Sequence, residues 1–582
     1  MRNLMFFIAV VVGCQAMIAV ADESESSTNT FTIAPSALDD TLPVLRGAIE
    51  RYRADDRSLS RSDSTPMSAE RSKRRDEFYE AWLKILEQVD FSTLPHSGQV
   101  DYVLLRNHLE RERTRLAHAD KRDEEMRPLL PFATIITELD TARRQMKPID
   151  SPRTAERLTE LAKNVDEARK AVDDKKTTAS RQVANRAIRR LDQLRRTLRS
   201  WNGFYDSYDP VYSWWNAEPY KAADQALEKY AGVVRAKLIG SERGNDDIIG
   251  DPIGREALLA ELAHEFIVYT PEELVELANK EFAWCEAEYK KATAELGYGD
   301  DWRAALEHVK KLHVGPGQQP ELIRKLAVEA IDFLDQRDLV TIPPLCRETW
   351  RMEMMTPERQ RVNPFFTGGE VISVSFPTAG MSHEDKLMSM RGNNIHFSRA
   401  TVQHELIPGH HLQIFMADRY NAHREEFNTP FLVEGWALYW EMLLWDLGFP
   451  KTPEDRIGML FWRSHRCARI IFSLRFHLGE MTAAEAIKFL IDRVGHEPAN
   501  AAAEVRRSVA GNYGPLYQAA YMLGGLQIRA MHRELVESGK MTNRQFHDAI
   551  LKENSIPVDL IRASLKEQPL SRDYKSTWRF YD

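Results

Sequence analysis

The sequence predicts a mainly α-helical protein: a large two-lobed helical bowl with a small β-sheet. Three observations predict it. Across 78–267, apolar residues recur at three- and four-residue steps in charged surroundings, as in Ile188, Leu191, Leu194, Leu198 and Trp201, which is the period of an amphipathic helix. Across 343–369 that period gives way to Pro343, Pro344, Pro364 and Gly368-Gly369, followed by an alternating run over 370–376 that reads as a strand. Beyond it, a strongly apolar segment opens around Glu434 and runs to about Leu447, where Gly448 and Pro450 stop it.

In chain order, residues 1–21 are Met-Arg-Asn, an apolar run from Leu4, and Ala19-Val20-Ala21 ahead of Asp22-Glu-Ser-Glu. This is the pattern of a secretory signal peptide with an A-x-A cleavage site. A competing reading takes Val11-Val12-Gly13-Cys14 as a lipobox, with a lipid anchor on Cys14. The apolar stretch continues past Cys14, which favours cleavage after Ala21. Either route exports the protein, to the periplasm or the extracellular space. Beyond Ala21 only Cys285, Cys346 and Cys467 remain, far apart and odd in number, so no disulfide framework holds the fold.

Residues 22–70 are rich in Ser, Thr, Asp and Arg and read as a flexible leader with one helix over 42–53. Folded structure is expected from Arg71, as one unit over 71–582, because the candidate site residues are spread from about 400 to 525. Arg181, Arg186, Arg189, Arg190, Arg195, Arg196 and Arg199 share one amphipathic helix. The chain carries a net charge of −8 and acidic residues flank this run, so it reads as a solvated face and no nucleic-acid partner is expected. Nor is a membrane span.

Trp201, Phe204, Tyr205, Tyr208, Tyr212, Trp214 and Trp215 form an aromatic cluster. It is expected to pack between the lobes, with a wall of a substrate groove as the alternative. Helices resume over 271–297, where Thr270 is a good start signal, and over 302–339. Further helices are expected over 453–477, 482–494 and 518–537.

The densest chemistry is His404, Glu405, His410 and His411. Neutral imidazoles are the commonest metal ligands, and a neighbouring carboxylate can take a proton from an activated water, so the stretch reads as half of a zinc site. In H-E-x-x-H the two histidines share a helical face. Here the residue four after His404 is Pro408. On an unbroken helix His410 would lie roughly 120° around the axis from His404, and His411 about 10 Å further along it. A regular helix is therefore excluded if the site exists. Pro408 and Gly409 supply the interruption: the proline ring collides with the carbonyl of His404, and glycine tolerates conformations other residues resist. If two residues loop out, His404 and His410 recover the relation of an i, i+4 pair.

The third ligand is Glu434, because a carboxylate embedded in an apolar helix is costly unless it is paired or bound to a metal. Glu441, two turns on, either orients a histidine or pairs with an arginine. His411 stands as the rival to His410.

The block His-Glu-Leu-Ile-Pro-Gly-His-His-Leu-Gln from His404, followed by Glu-Gly-Trp-Ala-Leu-Tyr from Glu434, resembles domain-of-unknown-function family 885. These are exported bacterial proteins distantly similar to gluzincin metallopeptidases such as thimet oligopeptidase, carboxypeptidase Taq and angiotensin-converting enzyme. The resemblance begins at Leu94-Pro-His-Ser-Gly-Gln-Val-Asp-Tyr-Val-Leu-Leu and returns at Thr270-Pro-Glu-Glu-Leu-Val-Glu-Leu-Ala. In the segment Arg466 to His477 the family pattern is kept at Arg466, Arg469 and His477, while Ser473 and Arg475 stand where Asp and Gly are usual. From Pro515 to Gly524, Pro515, Tyr521 and Gly524 match, whereas Leu516 and Tyr517 replace Gly and Gln.

The resemblance implies a zinc metallopeptidase, with a zincin-like metal helix and a sheet edge that holds a short peptide substrate extended. It implies zinc held by His404, His410 and Glu434, with His410 preferred because it follows Gly409. It implies Glu405 as general base, and Tyr521 and His477 as donors to the developing oxyanion. Arg466, Arg469 and Arg507 are left unassigned. The alternatives are a non-catalytic exported binding protein whose metal is structural or absent, and a hydrolase of another amide.

Overall fold

Capping chemistry marks the helices that the sequence predicts. Thr270 opens the helix Pro271–Glu295 with a capping box: its hydroxyl accepts the Glu273 amide hydrogen while the Glu273 carboxylate accepts that of Thr270. Pro453–Leu478 starts from the Thr452 hydroxyl and ends at Gly479, whose φ of 80° suits a residue without a Cβ. The computed structural model describes residues 45–62, 64–240, 248–360, 365–511 and 513–581. Among them are 23 α-helices and one two-stranded parallel sheet, and the protein is mainly α. The signal peptide, the lipobox alternative at Cys14 and most of the expected leader lie outside the described residues. No helix among the described residues is long and apolar enough to cross a membrane.

Two principal cores are present. The first gathers the helices Arg46–Ser62 and Ala69–Glu87, the start of His96–Met126, and most of the chain beyond 258. The second is enclosed by Ala133–Arg144, Ser151–Asp173, Arg181–Tyr205 and Pro210–Val234, around Leu158, Leu161, Leu191, Leu194 and Leu198. The 31-residue helix His96–Met126 joins them, with Val100 and Leu105 in the first core and Met126 in the second.

Three expectations need correction. Folded structure begins before Arg71: Ile49 and Tyr52 are buried in the first core, and the Tyr52 hydroxyl hydrogen-bonds His108 Nε2 at 2.8 Å. The helix expected over 42–53 is present as Arg46–Ser62, and its apolar stripe packs into the core instead of belonging to a flexible leader. The aromatic cluster does not lie between the lobes. Trp201 and Tyr212 belong to the second core alone, and Trp214 is 86 % exposed. The helix expected over 302–339 is two, Trp302–Lys310 and Gln319–Gln336, interrupted at Gly315-Pro-Gly317.

The strand Val371–Val374 pairs in parallel with Arg351–Met354, Arg351 opposite Val371. Its Ile372 and Val374 form a small third core with Val402 and Leu406, which lie on and just after the helix Ile395–Glu405. The sheet is thus clamped to the helix that carries His404.

Candidate metal centre

The helix Ile395–Glu405 stops one residue after His404, and a new helix, His410–Ala417, starts at His410. Between them the Ile407–Pro408 peptide is cis. The amide of Gly409 donates to the Gln403 carbonyl at 3.0 Å, folding the chain back on itself. A Cβ on Gly409 would fall 1.7 Å from the His404 carbonyl oxygen, so only glycine fits. Trp436 pins the interruption by donating its indole N–H to the Pro408 carbonyl at 2.8 Å. As a result the His404 and His410 rings stand 4.9 Å apart at 84°.

Glu434 sits on the helix Pro430–Asp446 and is buried. Its Oε2 lies 3.6 Å from His404 Nε2 and 3.2 Å from His410 Nε2. Ligand atoms about 2.1 Å from a tetrahedral zinc stand roughly 3.4 Å from one another, so these spacings are those of a ligand set. Among the described residues none completes a hydrogen bond to the buried Glu434 Oε2, which is costly unless a cation does so. The donor set of two imidazoles and one carboxylate fits zinc.

The oxygens of Glu434 are divided by its neighbours. Its Oε1 accepts the hydroxyl of Tyr517, leaving Oε2 for the imidazoles. Tyr517 and Tyr521 are carried by the helix Tyr517–His532, two turns and one turn before Gly524 respectively. A Cβ on Gly524 would fall 1.8 Å from the Phe431 carbonyl oxygen, and this glycine contact draws the tyrosine helix against the Glu434 helix. The Tyr521 ring stands nearly parallel to that of His404, at 6.2 Å. Burial, reinforced by the Glu434 charge, holds the Tyr521 hydroxyl above the usual tyrosine range, so it remains an O–H donor.

Glu441 accepts from His404 Nδ1 at 2.7 Å, which puts the proton on Nδ1 and leaves the Nε2 lone pair free. Burial alone would lower the His404 pKa, but Glu434, Glu441 and Glu405 outweigh it and push it up to about 9. The surroundings therefore favour a cation at this imidazole. Glu405 joins His404 and His410 in a group whose ligand-capable atoms all lie within 4.8 Å of one another. Burial pushes its carboxyl up, against the pull of His404 and His410.

The structure thus brings together His404, Glu405, His410, Glu434 and Tyr521. It turns His411 away: its Nε2 bonds the Cys346 carbonyl at 3.0 Å, beside a cavity of about 470 Å³. It also holds His477 apart, a correction to the expected donor. His477 lies eight residues beyond Arg469, about 12 Å along the helix axis. Burial, with Asp251 and Arg122 as its charged neighbours, takes the pKa of His477 down to about 4. Tyr517 is the site residue that the sequence reading did not assign. The available signal was its spacing, one helical turn before Tyr521.

Fold and site together define a mainly α-helical protein with a buried two-histidine, one-glutamate cluster at a broken helix. The chain belongs to the family described as bacterial protein of unknown function, DUF885, which matches residues 53–565. It is similar in fold to a candidate lipoprotein of unknown function from Shewanella oneidensis, at 19 % identity and TM-score 0.65, covering 89 % of this chain and 98 % of that one. A candidate lipoprotein from Colwellia psychrerythraea is similar at 15 % identity and TM-score 0.54, covering 90 % of this chain and 99 % of the other. The search of curated proteins returned no match.

Proposed function

We propose that this protein is an exported zinc-dependent peptidase that hydrolyses short peptides. The observation that carries the reading is the buried Glu434 Oε2, unpartnered among the described residues and 3.2 and 3.6 Å from two imidazole Nε2 atoms. His404, His410 and Glu434 would hold the ion. When bound, zinc supplies Lewis-acid polarisation of a carbonyl and activation of a water.

The protein's own groups do the rest. Glu405 takes the proton of the attacking water and returns it to the leaving amine; its raised pKa suits a base that must also act as an acid. Tyr521 donates to the oxyanion as it develops, a contribution of about 3 kcal/mol for a positioned donor. Glu441 keeps His404 in the ligating tautomer and Tyr517 holds the Glu434 carboxylate. The backbone of Gly368, just ahead of the strand Val371–Val374, lies against the Glu405 carboxylate, so the sheet and the turn that Thr367 pairs back onto Ser373 wall the base. Export is supported by the N-terminal pattern and by the two fold neighbours described as candidate lipoproteins, with Cys14 as the residue for a lipid anchor.

The test is elemental analysis of the chain from Asp22 onward, with an assay on a mixed short-peptide library beside Glu405→Gln. About one zinc per chain, with cleavage lost and zinc retained in the variant, is the expected result. Stoichiometric zinc without turnover would move the function to a binding protein or another amide. Absence of metal from protein purified without chelator would remove the reading.

A further inference from the structure

Behind the metal cluster, the helix Pro453–Leu478 buries guanidinium groups whose hydrogen-bonding positions are not all filled by the described residues. Arg466 and Arg469 are 5 % and 3 % exposed. Their guanidinium groups lie 4.8 and 4.4 Å from the centre of the Tyr521 ring. Arg469 is held by Glu504 in a two-point pair at 2.7 and 3.1 Å, and Arg507 reaches the same carboxylate at 3.1 Å. Arg466 makes no hydrogen bond to any described residue. Its nearest carboxylate is Glu441, at 3.8 Å, and that oxygen already accepts from His404.

Glu441, Glu434 and Glu405 all lie within electrostatic reach of Arg466, so its charge is countered, but none of them fills its hydrogen-bonding positions. Arg466 Nε and Arg469 Nη1 are buried without acceptors among the described residues. Ser473, one turn beyond Arg469 and two beyond Arg466 on the same helical face, is buried with a hydroxyl that finds no partner. Burial and the neighbouring Arg469 charge both disfavour the Arg466 cation. Buried donors left without acceptors are costly, so the arrangement calls for an oxygen-bearing group that the described residues do not supply.

We propose that Arg466, backed by Arg469 and lying against Tyr521, binds the terminal carboxylate of a short peptide substrate. The proposal rests on the peptidase reading and names its substrate class: peptides with a free carboxyl end. A planar guanidinium with free N–H groups matches a carboxylate in a forked pair. Arg466 lies beside the site: it contacts the Tyr521 ring and reaches Glu441, the carboxylate that holds His404.

The experiment is calorimetric titration of the chain from Asp22 onward in the Glu405→Gln form, with and without zinc. The probes are N-acetylglycylglycine and its C-terminal amide. The acid is expected to bind at least tenfold more tightly than the amide. Arg466→Gln should abolish that preference, as should Ser473→Asp, which supplies an internal carboxylate one turn from Arg469. Equal affinities for acid and amide overturn the proposal, and this comparison needs no substitution at the arginines. An acid preference that survives both substitutions overturns it too. A third probe, N-acetylglutamate α-amide, carries its acid on the side chain, and tighter binding of it than of N-acetylglycylglycine overturns the chain-end assignment. The two readings fail separately. Acid preference without hydrolysis of any peptide leaves the anion site and removes the peptidase, whereas hydrolysis indifferent to amidation does the reverse.

Discussion

Replacing Tyr517 with Phe tests the division of labour within Glu434. The substitution removes one oxygen and leaves the ring, which packs against Tyr513 and Tyr521 at 4.4 and 5.8 Å. The hydroxyl is the donor that occupies Oε1 and so keeps Oε2 turned toward both imidazoles. That hydrogen bond exists before any ion binds, so its loss acts on affinity mainly through preorganisation. Holding a flexible side chain in one rotamer costs about 0.5–1.5 kcal/mol, and removal of groups that orient ligands typically weakens metal binding by about 10–100-fold. With Glu434 buried there is little water to take the place of the hydroxyl, and a loss of about tenfold in zinc affinity is expected, near 1.4 kcal/mol. The assay is competition for zinc against a chromophoric chelator at fixed pH, with Tyr513→Phe as the control for altered ring packing. Tyr517→Gln restores an N–H donor and should recover part of the loss. Zinc affinity within twofold of the parent for Tyr517→Phe would refute the assignment of Oε2 as the ligating oxygen.

Gly409→Ala puts a Cβ where the His404 carbonyl oxygen stands, 1.7 Å away, so zinc content by elemental analysis should fall to background even if the helical circular dichroism is kept. Gly524→Ala drives a methyl group into the Phe431 carbonyl at 1.8 Å; it should cost about 3 kcal/mol in urea unfolding and weaken zinc binding, because the tyrosine helix is pushed off Glu434. Acid should destabilise the protein through its buried neutral histidines, and His547 is the clearest case. Its Nδ1 donates to the Leu339 carbonyl at 2.7 Å, so Nε2 accepts the Tyr439 hydroxyl at 2.8 Å, and burial lowers its pKa from 6.5 to about 3. The unfolded chain takes up this proton below pH 6.5 and the folded chain does not until about 3, so stability is full above 6.5 and is lost as pH falls, by up to about 1.4 kcal/mol per pH unit. Urea midpoints at pH 7, 6 and 5 should fall less steeply for His547→Gln, and an unchanged slope would refute the contribution.

What the sequence revealed and what it hid follow from how local each signal is. His404, Glu405 and His410 stand out because ligand-type residues are crowded around a Pro-Gly pair that must break a helix, and every part of that argument lies within seven positions. Glu434 was legible for a different local reason: its neighbours are all apolar, so its carboxylate needed a partner. Tyr517 gave no such sign, because its partner is 83 positions away and the contact exists only where Gly524 lets two helices close on one another. The strand Arg351–Met354 was missed for a related reason. It is four residues long, too short for its polar–apolar alternation to stand out, and it buries little surface, whereas Val371–Val374 has one face in the third core. His477 shows the converse error. The family pattern placed it in a matching segment, but Arg466, Arg469 and His477 share one continuous helix, and two further turns of rise carry His477 out of reach of the cluster. A motif on a helix therefore assigns chemistry only to residues within about one turn of the site, which is why Arg466 meets Glu441 while His477, on the same helix, lies beside Asp251 and Arg122.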